Sequence, residues 1–252
     1  MVTRAGYRNY VAYEWEDLTQ ETVASGAPFQ FGDDFIGAGH TAGIPAAGSP
    51  SAGYPWVKKL VGTPTGVALV TNSSGGIMQC ALAATSEAEE ASLYFNDSLS
   101  VDTTKTGQAE WRAALATPPS AAGVQAAIGL GTAWVGGPQS LARYMLFGWT
   151  ANNSLLIWSK DGVGSTISQT AVPIGSTALA TDTNMHVYRI DWSNPTDLAF
   201  YVDGTRVNTI GSITWQATGT NAILQPWHTV YKPSGTGVAT LNVDKIDIFN
   251  GR

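Results

Sequence analysis

At 252 residues with 44% hydrophobic content, the chain carries ample apolar material for a packed core, which excludes a disordered tail or a disulfide-stapled miniprotein. Charged residues are only 13%, while 28 Gly, 12 Pro and 10% aromatics supply turns between short apolar runs, so a helical bundle is excluded. Thirteen Lys and Arg against 19 Asp and Glu leave a net charge of −6, which gives a phosphate backbone no footprint and removes nucleic acid as a partner.

Residues 1–30 differ from the rest, interleaving Arg4, Arg8, Glu14, Glu16, Asp17 and Glu21 with Tyr7, Tyr10, Tyr13 and Trp15. Neither a 3.6 nor a 2.0 period fits these aromatics. This arm reads either as a strand plus a short helix or as a segment that docks on a partner through Tyr7, Tyr10, Tyr13 and Trp15. The start, Met1-Val2-Thr3-Arg4, leads into polar and aromatic residues rather than an apolar signal core. No apolar run approaches the ~20 residues of a membrane helix, so membrane insertion is not expected and synthesis in the cytoplasm is.

Residues 31–252 read as one domain. From 31 to 76 Gly, Pro and Ala dominate, with apolar islands at Phe35-Ile36 and Val67–Val70, as long loops between short strands require. Cys80, the single cysteine, lies in the apolar run Ile77–Leu82, where a buried, inert thiol is expected. Glu87-Ala88-Glu89-Glu90 reads as a solvated acidic loop or short edge, followed by strands over Ala91–Leu99 and Ala109–Leu115. A short helix is expected near Gly123–Ile128. The runs Arg143–Trp149 and Leu155–Trp158 make a hairpin about Asn152-Asn153-Ser154.

The clearest two-residue period follows. In His186–Trp192, Tyr188, Ile190 and Trp192 share a face. The turn Ser193–Asp197 leads to Leu198, Phe200 and Val202, and Asp203-Gly204 then forms a type I′ hairpin turn into a strand at Arg206. Regular short strands with polar loops predict an all-β, antiparallel, two-sheet jelly-roll sandwich.

The run His186–Trp192, its turn and Leu198–Gly204 resemble a strand pair of concanavalin A-like lectin and glucanase jelly rolls, and Leu241–Phe249 resembles their closing strand. Further, Leu224–Trp227, Val230–Lys232, Gly235–Gly237 and Ala109–Leu115 are similar to a version found in structural proteins of tailed bacteriophages. In that light the resemblance implies a non-catalytic virion protein of the capsid-decoration or head-fibre type. It would be homo-oligomeric, located on the capsid surface or a fibre, and attached to the major capsid protein or other virion proteins. The alternative is an adhesin or tail-fibre module that binds host glycans.

Glucanases of this fold set paired acids on one strand as Glu-x-Asp-x-x-Glu, or with one extra residue. None of Glu14, Glu16, Glu21, Glu87, Glu89, Glu90 and Glu110 sits in that pattern, so no enzyme is expected. His40, His186 and His228 show no ligand spacing. His40 and His228 read as surface groups. Asp244 shares a side with Ile246 and Ile248 by parity, a costly place for a charge. Two roles stay open for it: backbone, Lys or Arg hydrogen bonding, or the structural calcium that the resemblance implies. Beyond that calcium no cofactor is expected. Of nine Trp, Trp149 and Trp192 fall in phase with core positions. Trp56, Trp134, Trp215 and Trp227 sit in or beside loops and are the candidates for stacking on sugar rings, on the concave face.

Overall fold

The computed structural model describes the chain apart from residues 1–2, 9–10, 17–21, 26–28, 37–42, 50–54, 72, 74, 152–153, 165, 173–181, 210 and 252; up to residue 29, and at residue 154, it describes the backbone alone. Nineteen strands appear among these residues: β1 (Thr3–Arg8), β2 (Val11–Glu16), β3 (Thr22–Ser25), β4 (Phe29–Asp33), β5 (Val57–Val61), β6 (Gly66–Leu69), β7 (Met78–Ala81), β8 (Glu89–Tyr94), β9 (Val101–Asp102), β10 (Gly107–Thr117), β11 (Gln125–Gly131), β12 (Tyr144–Thr150), β13 (Ser154–Lys160), β14 (Ile167–Thr170), β15 (His186–Asp191), β16 (Ala199–Val202), β17 (Thr205–Arg206), β18 (Ile223–Lys232) and β19 (Thr240–Asn250). The helical content among them is two 3₁₀ turns, Pro138–Ser140 and Gly219–Ala222.

Two eight-stranded antiparallel sheets make the jelly-roll sandwich. The first runs β17-β16-β15-β10-β19-β7-β6, and the second β14-β13-β12-β11-β18-β8-β5. The long strands carry two short partners along one edge. β7 pairs with β19 at Thr240–Val243 and β4 at Ile246–Asn250, while β18 is shared between β8 and β9. Period-2 alternation sends Ala109, Trp111 and Ala113 inward from one sheet and Ile128, Phe147, Trp149 and Ile157 inward from the other. Between them Phe147 meets Tyr188 and Phe200 edge-on at 5.2 Å, and Trp149 meets Tyr188 at 5.3 Å, each contact adding roughly 0.5–1.5 kcal/mol beyond burial. Cys80 is buried in this core, and burial pushes its thiol up to about 12.

Three expectations are corrected. The arm contains no helix among its described residues; β1, β2 and β3 form their own antiparallel sheet. The helix expected near Gly123–Ile128 is instead a turn, with Gly123 at φ 84°, running into β11. There Ala126, Ile128 and Leu130 point inward and small residues alternate with them, so polarity marks no period. Finally, β8 starts at Glu89 rather than Ala91. The hairpin at Asp203-Gly204 is as expected, with φ 48° and 76°, both positive as type I′ requires.

Candidate functional site on the outer face of the second sheet

The residues that alternate away from the core on the second sheet form a smaller apolar cluster: Ala127, Leu141, Tyr144, Leu146, Trp158 and Trp227, with Trp134 and Leu156 against it. Strand register places them in rows. Tyr94, Trp227, Gly129, Leu146 and Trp158 lie side by side across five strands, and Ser92, Thr229, Ala127, Gly148 and Leu156 form the next row. The small central residues let the Trp rings lie flat. A Cβ on Gly148 would stand 2.3 Å from Trp158 Cζ3, and one on Gly131 2.9 Å from Trp227 Cε3 and 2.7 Å from Leu141 Cδ1.

Leu141 belongs to the loop of residues 132–143, which folds back over these rows. Its anchor is Glu90. The Glu90 Oε1 accepts from Ser92 Oγ at 2.5 Å, Trp134 Nε1 at 3.0 Å and Thr229 Oγ1 at 3.4 Å, and Oε2 accepts from the Gly137 backbone N–H at 3.0 Å. Asp97 Oδ1 accepts from the Trp134 N–H at 2.7 Å and from Gln225 Nε2 at 2.9 Å. Gln225 also donates to the Thr132 carbonyl at 3.1 Å, and Lys160 to the Leu141 carbonyl at 3.3 Å. Burial pushes the Glu90 carboxyl above its usual range against the pull of its four donors. The same burial, with the charges of Asp97 and Glu90, lifts the Tyr94 phenol to about 12. Both acids therefore hold the loop, and each Glu90 oxygen already has a protein donor. Trp134 is left partly exposed at the loop's start with the Lys59 ammonium 4.7 Å from its ring centroid.

Of the four Trp expected to stack on sugars, only Trp134 keeps an open surface. Trp56 is fully buried, packs edge-on against Phe31 and Phe95, and donates to Asp33 Oδ2 at 2.6 Å. Trp215 is 3% exposed and donates to Thr103 Oγ1, and Trp227 is 1% exposed beneath Leu141. Adjacency to a loop in sequence did not mean exposure, because these rings fill space under the loops. Tyr7, Tyr13 and Trp15 fall in β1 and β2, whose side chains lie outside the described residues, as do Tyr10 and His40.

Other acids and histidines also differ from expectation. Glu89 and Glu90 are buried in a strand, not solvated. Glu89 faces inward and pairs with Lys232 at 3.4 Å, both fully buried, while Lys232 also donates to the Ala83 and Thr85 carbonyls. The alternation of Glu90, Ser92 and Tyr94 against Glu89, Ala91 and Leu93 was the signal for this strand. His228 is a core residue: Nε2 accepts from Trp111 Nε1 at 2.9 Å, and the ring packs on Trp56 at 5.1 Å. At Asp244 the register skips from Lys245 opposite Arg112 to Val243 opposite Ala113, a bulge that turns the carboxylate off the apolar face and onto the Arg112 guanidinium. Of its two readings, the ion pair is the one seen. Among the described residues no three His, Cys, Asp or Glu converge as a metal site.

No family model and no curated protein matches the chain. Solved structures do. An apo Crh5 transglycosylase aligns with TM-score 0.53 and 15% identity over 90% of this chain and 86% of that one. A β-1,3-glucanase from Mycobacterium marinum aligns with TM-score 0.53 and 16% identity over 89% and 100%. The Emp47p carbohydrate recognition domain aligns with TM-score 0.51 and 11% identity over 83% and 95%. At these identities the likeness is one of fold, and the chain has the concanavalin A-like, glucanase-type jelly roll. The virion reading, with its capsid-decoration role, is overturned: these structures are two carbohydrate-active enzymes and a carbohydrate-recognition domain. The segments that resembled phage proteins are β10, β18 and the turn into β19, which this sandwich builds in any case.

Proposed function

We propose that this protein is a non-catalytic carbohydrate-binding domain that meets glycans on the outer face of its second sheet. The observation that carries the proposal is the loop of residues 132–143: Glu90 and Asp97 fasten it over a Trp-rich face so that it presents the partly open Trp134 indole. An aromatic face held by buried hydrogen bonds can stack on the C–H side of a pyranose with little ordering cost. Lys59 over the Trp134 ring adds a cation, and the half-buried Tyr231, against Gly137 of the same loop, adds a phenol. The fold shared with a carbohydrate-recognition domain supports the same reading. The non-catalytic part of the reading is supported by the acid on this face: glycosidases hold one carboxyl free for the leaving group and a second about 5 Å or more away, whereas Glu90 holds protein donors on both oxygens. The test is a glycan array followed by fluorescence titration. Binding that quenches tryptophan emission and disappears in Trp134→Ala, without polymer cleavage, is the expected result. A blank array, or cleavage of a β-glucan, refutes it.

A further inference from the structure

A cavity of about 240 Å³, with Trp134 not among its lining residues, opens between the turn from β9 to β10, the turn after β15, and the segment before the second 3₁₀ turn. Hydrogen bonds hold its walls. The Trp192 N–H donates to the Gly107 carbonyl at 3.0 Å and the Trp215 N–H to the Pro195 carbonyl at 2.7 Å. Trp215 Nε1 donates to Thr103 Oγ1, which donates on to the Ala222 carbonyl, and the Gln216 N–H is held by Asp161 Oδ2.

The lining divides by chemistry. Pro195 stands exposed on the apolar side with the buried Trp192 and Trp215 behind it, Thr106 and Thr218 supply hydroxyls, and Lys105 supplies a cation. No acidic side chain lines the cavity, and nearby Asp102 turns back onto its own Thr104. Two donors stand unused among the described residues. Trp192 is 1% exposed and its indole N–H has no acceptor, an omission that costs about 1–3 kcal/mol unless something else supplies one. The Lys105 ammonium has no ion-pair partner there, although the chain carries a net charge of −6.

We propose that this cavity is a second ligand site, independent of the outer face, that takes one acidic sugar unit, a hexuronate. Pro195 meets the C–H face of the ring, Lys105 meets the carboxylate, and a small turn of the indole brings a ring oxygen within reach of the Trp192 N–H. The volume admits one such ring, not a drug-sized ligand.

The test is an NMR titration of the full ¹⁵N-labelled chain with sodium glucuronate, glucose and sodium acetate up to tens of millimolar. Glucuronate is expected to shift the Trp192 indole N–H and the Lys105 and Thr106 amides saturably. Glucose and acetate should each bind about tenfold or more weakly. Lys105→Met, at an exposed position that leaves the fold alone, should weaken glucuronate about tenfold, the order of a charge-assisted hydrogen bond. Trp192→Phe, which keeps a ring and removes the donor, should weaken it also, and Trp134→Ala should not. The proposal is overturned by the absence of saturable shifts, by glucose or acetate binding as well as glucuronate, by an unaffected Lys105→Met, or by shifts centred on Trp134 and Lys59.

Discussion

His228 should make this protein acid-labile well above the pH at which its carboxylates protonate. The ring is fully buried between Trp56 and Phe35, and its Nε2 accepts from the Trp111 indole, so the proton sits on Nδ1, which has no acceptor among the described residues. Protonation would place a second N–H against the Trp111 N–H and an unpaired charge in the core. Burial accordingly drives the imidazole from 6.5 down to about 3. A base whose folded value lies below its unfolded one stabilises the fold above the unfolded value and loses that contribution as pH falls toward the folded one. At 1.36 kcal/mol per unit, the loss is about 2 kcal/mol at pH 5 and about 4–5 kcal/mol by pH 3. The assay is urea unfolding from pH 8 to pH 4.5 on the wild type and on His228→Gln, whose amide oxygen can accept from Trp111 and does not titrate. The variant should be less stable at pH 8 by about 1–2 kcal/mol, and the two curves should converge by about pH 5 as the wild type alone loses its share. Curves that stay parallel across this range would refute the reasoning, since every other titrating group is common to both proteins.

His186 should behave with the opposite sign. Its bond to Asp203 at 2.6 Å, opposed by burial and helped by Asp182 at 3.1 Å, raises the imidazole above 6.5, so its contribution is complete below that value and fades as pH rises through the folded one; His186→Asn should lower the melting temperature more at pH 6 than at pH 9. Replacing Glu90 by Gln turns an amide donor toward the Gly137 or Trp134 N–H, with an expected cost of about 1–3 kcal/mol and faster proteolysis confined to residues 132–143, readable by mass spectrometry. Gly148→Val drives a side chain into the Trp158 ring and should destabilise by roughly 1–3 kcal/mol, the usual range for overpacking, on a denaturant curve. Arg112→Ala should cost under about 1 kcal/mol, because the guanidinium that meets Asp244 is 42% exposed and screened by water.

The loop of residues 132–143 changes what the outer face is. Without it Trp158 and Trp227 would form an open aromatic floor; with it they lie under Leu141, and binding moves to the loop's own Trp134. A buried Glu at the centre thus serves positioning. Its four donors offset part of the cost of holding a carboxyl group in so dry a place.

The amino-acid sequence by itself determined the class of fold, because alternation in segments such as His186–Trp192 and a turn pair such as Asp203-Gly204 act over a few residues and need no distant partner. It also placed Trp149, Trp192 and Cys80 in the core. What only the tertiary structure decided were features that depend on pairing across the chain. The bulge that turns Asp244 to Arg112 arises from register with β10, and burial of Trp56, Trp215 and Trp227 comes from loops and strands far away in sequence. Likewise, Glu90 becomes an anchor only because Gly137 and Trp134, more than forty positions on, fold back to meet it. A carboxylate in solvent and one in a strand look alike in a short window; the difference is made by which donors the packed sheet brings within 3 Å.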